Sequence, residues 1–104
     1  MGNPYRGEVM LTVDGRELPM RLTLGALAEL EAGLECGSLA ALVERFESGA
    51  FSAGDLIALL SAGLRGAGWQ GSAADLARAE VAGGPIEAAT AAGRLLKLAF
   101  SLPE

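Results

Sequence analysis

The chain has 104 residues, about half of them apolar but only five aromatic, so one domain spanning 1–104 with a Leu/Ala core is expected. Eight basic against thirteen acidic side chains leave a net charge of −5, which argues against a nucleic-acid partner, because such binding neutralises phosphates with Lys and Arg. The longest apolar run, Leu56 to Leu60, is far short of the ~20 residues that span a bilayer, so no membrane partner is expected.

Residues 7–22 read as a β-hairpin. Gly7 to Val13 and Arg16 to Leu22 flank Asp14-Gly15, a pair that supplies the two positive φ angles of a type I′ turn. In that register Leu11 faces Leu18 and Val9 faces Met20 on an apolar side, while Glu8 meets Arg21 and Thr12 meets Glu17 on the wetter side. Pro19 cannot donate to a ladder, so its nitrogen should face an open edge. An isolated hairpin is marginal in water, so helices or another subunit must cover the apolar face.

Four or five short helices follow. Thr23 is a suitable N-cap for the first, about Leu24 to Leu34, whose expected apolar stripe is Leu24, Leu27, Leu30 and Leu34. Gly37 ends this segment, and Ser38 caps a second helix with Leu39, Leu42, Val43 and Phe46, ended by Gly49. Ser52 to Asp55 and Ser72 to Asp75 each resemble a capping box, opening a third helix with Leu56, Ile57, Leu60 and Leu64, and a fourth with Leu76, Ala79 and Val81. Gly83-Gly84-Pro85 breaks the chain, and Pro85 suits the first turn of a last helix reaching about Phe100, after which residues 101–104 should fray. The expected fold is therefore α+β, mainly α: an N-terminal hairpin and four or five helices packed as one domain.

No catalytic, cofactor-binding or metal-binding residues emerge. Gly66 to Gly71 matches the spacing of the dinucleotide fingerprint, but a helix precedes it and no strand follows, so it reads as an inter-helix loop and no cofactor is expected. The chain has no His and a single cysteine, Cys36; this favours neither a zinc site nor an activated thiol, and fits a reducing compartment. With no apolar stretch behind the N-terminal charge there is no visible signal peptide, and a cytoplasmic location is expected. Glu29, Glu31 and Glu35 read as a solvated acidic face. Trp69 either anchors a partner or plugs the gap between the third and fourth helices, the latter being favoured. Ala-rich helices, an uncovered hairpin and positive mean hydropathy point towards a homo-oligomer or a helical client. An enzyme is not expected.

Three stretches resemble a known family: Asn3 to Glu8 leading into a strand, the Asp14-Gly15 turn, and Arg21-Leu22-Thr23-Leu24-Gly25-Ala26-Leu27-Ala28-Glu29-Leu30-Glu31. The chain is similar to the small phage-like tail proteins of gene transfer agents, described either as tail tube proteins or as tail assembly chaperones. The resemblance implies a role in tail morphogenesis, with the tape-measure protein or other tail proteins as partners. If the protein is a structural tail component, it implies residence in a virion-like particle. One hairpin is thin material for a β-rich tube wall, so a chaperone is the expectation and a structural tube component the alternative. An acidic regulatory or antitoxin-like module is the third reading. Candidate partner-binding residues are Leu24, Leu27, Leu30 and Trp69. The three leucines are equally readable as core, which is the favoured reading, so Leu27→Asp should unfold the domain rather than merely abolish binding.

Overall fold

The computed structural model describes residues 8–34 and 38–100, so the expectations placed on Gly7, Glu35, Cys36, Gly37 and residues 101–104 lie outside it. The element order is β1 (Glu8–Val13), β2 (Arg16–Arg21), α1 (Leu24–Gly33), α2 (Leu39–Ser48), α3 (Ala53–Gly66), α4 (Ala73–Arg78) and α5 (Gly84–Phe100). Five helices therefore follow the hairpin, as an α+β, mainly α chain should.

The hairpin has the register that its side-chain pattern demands. Val9 pairs with Met20, Leu11 with Leu18, Thr12 with Glu17 and Glu8 with Arg21. Asp14 at φ 50° and Gly15 at φ 80° both occupy the left-handed region, which gives the type I′ geometry whose twist matches that of the strands. Val9, Leu11, Val13 and Met20 are buried on one face. On the other, Arg21 Nη2 donates to Glu8 Oε2 at 2.6 Å across the strands.

Helix α3 is the central element, and glycine lets it approach the sheet. A Cβ at Gly63 would sit 2.5 Å from Leu95 Cδ2 and 3.2 Å from Met20 Cβ; one at Gly66 would collide with the backbone oxygen of Arg21. These two residues, three apart and so on one helical face, bring α3 down onto β2 at a distance that no larger residue permits. α5 covers the hairpin beside it, burying Ala88, Ala91, Ala92, Leu95 and Leu96. Leu59, Leu60 and Leu64 from α3, Leu42 from α2 and Leu76 from α4 complete one continuous core.

The helix starts follow their caps. Ser52 and Asp55 exchange backbone-to-side-chain bonds of 3.0 Å in both directions, and Ser72 and Asp75 do the same at 2.9 and 3.2 Å. Asp55 is only 3% exposed, yet its carboxylate also meets Arg45 Nη1 at 3.0 Å, so the buried charge is paired as well as hydrogen-bonded. Gly49 closes α2 in the left-handed conformation, with Ala50 N–H donating to Arg45 O. Phe46 and Phe51 stack with centroids 4.4 Å apart, pinning the loop that follows α2.

Two expectations need correction. The buried face of α1 is Ala26, Leu30 and Leu34, not a stripe beginning at Leu24. At about 100° per residue, that face centres on Leu30, with Leu27 roughly 60° and Leu24 roughly 120° away. Leu27 is accordingly half-buried and Leu24 is 86% exposed. Val81, in turn, does not belong to α4, which stops at Arg78; it forms an antiparallel bridge with Val13.

Candidate functional site

The bridge at Val81 builds the most distinctive surface of the molecule. Asp14 N–H donates to Glu80 O at 2.7 Å, Ala82 N–H donates to Thr12 O at 3.0 Å, and Asp14 Oδ1 accepts from Glu80 N–H at 2.9 Å. Thr12 sits in a non-hydrogen-bonded pair of the hairpin, so its carbonyl points away from β2 and is available to this third segment. The linker between α4 and α5 thereby closes the outer edge of β1 next to the turn. Beneath it lies a cleft of about 740 Å³, walled by the hairpin turn, the start of α3 and the start of α5. Leu56, Ile57, Val81 and Ala88 make it apolar, and among the described residues Asp14 and Glu80 are the charged ones that line it.

A second cleft of about 430 Å³ separates α2 from the end of α5, with Val43, Phe46, Leu96 and Phe100 as its apolar walls and Glu47 and Lys97 as its charges. Three large apolar side chains are exposed among the described residues: Leu24 at 86%, Ile86 at 81% and Phe100 at 45%.

The candidate partner-binding residues are not gathered into one place. Leu24 projects from the first turn of α1, Leu27 is half-buried, and Leu30 is 2% exposed within the core. Trp69 is half-buried against the core in the loop after α3; its backbone N–H donates to Leu64 O at 2.9 Å and its ring lies against Gly71. Neither Leu24, Leu27 nor Trp69 lines either of these two clefts. Glu29, expected to be solvated, reaches Arg65 of α3 at 3.0 Å with both side chains about half exposed. The cleft under the turn was not foreseen. Its lining joins residues near 14 to residues near 81, and the one local hint, a valine just before Gly83-Gly84, reads equally well as the end of a helix.

Asp75 is held below the usual carboxylate range by its bonds to the Ser72 backbone and hydroxyl, assisted by the Arg78 charge. Among the described residues no three His, Cys, Asp or Glu side chains converge in a way that could hold a metal ion, and no helix is long and apolar enough to cross a membrane.

A family model described as phage tail tube protein, GTA-gp10, matches residues 6–102. The chain belongs to this family. Membership makes this GTA-gp10 relative a phage-like tail component, with other tail proteins as its partners. No curated protein and no solved structure matches the chain. The match runs through all five helices as well as the hairpin, so the helical two-thirds of the chain is as much a part of the GTA-gp10 pattern as the N-terminal strands.

Proposed function

We propose that this tail protein is a non-enzymatic assembly chaperone that holds helical, apolar segments of the tape-measure protein in the cytoplasm until the tube forms around them. The observation that carries this reading is the state of the hairpin edges. A wall made by joining sheets needs unobstructed ladder groups on both outer strands. On β1 the Thr12 carbonyl and the Asp14 amide are already taken by Ala82 and Glu80. On β2, Pro19 occupies a non-hydrogen-bonded pair, so the outward-donating position in the middle of the strand, between those of Glu17 and Arg21, has no N–H. A hairpin blunted on both sides is suited to carrying helices rather than to extending a sheet. The apolar clefts and the exposed Leu24, Ile86 and Phe100 supply surface for a helical client.

Co-expression with the tape-measure protein of the same tail cluster tests the proposal. The tape measure should move from the pellet to the soluble fraction and co-purify with this chain; an unchanged pellet refutes the chaperone role. The second reading, a structural tube subunit, is favoured by the family description itself. Mass spectrometry of purified particles separates the two, since a tube subunit is present in many copies and a chaperone is scarce or absent.

A further inference from the structure

The two clefts described above are distinguished by their charges. The cleft between α2 and α5 is lined by one acid and one base, Glu47 and Lys97, and so sets no preference of sign. The cleft beneath the hairpin turn has an apolar floor of Leu56, Ile57, Val81 and Ala88, and both charged residues that line it, Asp14 and Glu80, are acidic. These two are fixed relative to each other by three contacts: Asp14 N–H to Glu80 O, Glu80 N–H to Asp14 Oδ1, and the adjacent Ala82 N–H to Thr12 O. The acidic lip is thus set by backbone hydrogen bonding before any partner arrives, which reduces the ordering cost of binding. The chain as a whole carries −5, so approach of a cationic partner is favoured at long range as well.

We propose that this cleft seats the apolar face of a client helix flanked by Lys or Arg, the apolar side chains entering between α3 and α5 and the cations meeting Asp14 and Glu80. The identity of that client as a tail protein rests on the chaperone reading; the chemistry of the cleft does not. The groove is open and its volume lies within the ordinary range of binding pockets, about 300–1,000 Å³, enough for several side chains from consecutive turns.

The test uses the full chain and a defined probe: a fluorescent, amidated 18-residue peptide (about five helical turns) with leucine at helical spacing and lysine on its flanks. A second peptide carries glutamate in place of each lysine. Wild type should bind the lysine peptide about tenfold more tightly than the glutamate peptide at low salt, with the gap narrowing as salt rises. Ala53→Trp fills the cleft from an exposed position at the start of α3 and should weaken binding at least tenfold while leaving the melting curve intact. Glu80→Lys leaves every backbone bond in place and should weaken the lysine peptide about threefold and strengthen the glutamate peptide. Glu44→Lys, exposed on α2 outside the cleft lining, makes the same change in net charge and should alter neither peptide as much. Equal binding by wild type and Ala53→Trp overturns the proposal, as does an equal response to Glu80→Lys and Glu44→Lys. So does self-association of the wild type that Ala53→Trp abolishes, since the occupant would then be a second copy. Retained peptide binding with an insoluble tape measure would leave the cleft standing and remove the chaperone reading. A solubilised tape measure that Ala53→Trp and Glu80→Lys hold as well as wild type would do the reverse.

Discussion

Replacing Gly66 with alanine adds one methyl group at the tightest point of the fold. That methyl would strike the Arg21 carbonyl oxygen and sit 3.1 Å from the Ala26 Cβ. The obstacle is backbone rather than the flexible end of a side chain, so α3 must lift from β2 or the strand must bend. Overpacking of this kind costs about 1–3 kcal/mol. Against it stands the helix preference for Ala over Gly, about 0.5–1 kcal/mol in a helix interior and less at the last residue of α3. The net loss is therefore about 1–2 kcal/mol, or roughly 4–16 °C in melting temperature for a chain of this size. Gly93 provides the control, because it lies inside α5 with nothing within 4 Å of a built Cβ; Gly93→Ala should gain about 0.5–1 kcal/mol. Urea and thermal unfolding of both variants measure the difference, with an unchanged denaturant slope showing that the unfolded state is the same. A Gly66→Ala protein that melts at or above wild type would show that α3 and β2 do not meet as described.

Two leucines of α1 should behave as opposites: Leu30→Ala should cost about 2–5 kcal/mol, while Leu24→Ser should change stability by less than about 0.5 kcal/mol, both read from urea unfolding. Leu27→Asp, at a half-buried position, should fall between them and leave a folded protein by circular dichroism. Because the folded-state pKa of Asp75 is depressed, its stabilising contribution is present above the unfolded value of about 3.9 and disappears as pH falls through the lower folded value. Asp75→Asn should therefore reduce the loss of stability below about pH 4, measured as a flatter melting-temperature profile on the acid side.

Local signals carried most of the secondary structure. Asp14-Gly15 determined the hairpin and its pairing because a type I′ turn permits one register, and the two Ser-to-Asp capping boxes marked helix starts to the residue. The faces of the elements were less legible. Leu24, Leu27, Leu30 and Leu34 look like a stripe, but the small Ala26 lies closer to the centre of the buried face than Leu24 does, and alanine carries little weight in a hydrophobic pattern. The cleft was not legible at all. It depends on Asp14 and Glu80, 66 residues apart, the Asp14 N–H donating to Glu80 O and the Glu80 N–H to the Asp14 carboxylate, and such pairing leaves no periodicity in the sequence.

The partnership between the hairpin and the segment from Glu80 onward also shapes how the protein is made. The hairpin is synthesised before the helices, yet the helix that covers β1, and the segment that closes its edge, come from residue 80 onward. At about 5–20 residues per second, the ~80 residues after β2 take roughly 4–16 s to emerge, and during that time Val9, Leu11 and Val13 have no final place. Core formation must therefore wait until α5 has emerged, and a truncated product lacking α5 would be an aggregation-prone fragment rather than a smaller folded unit.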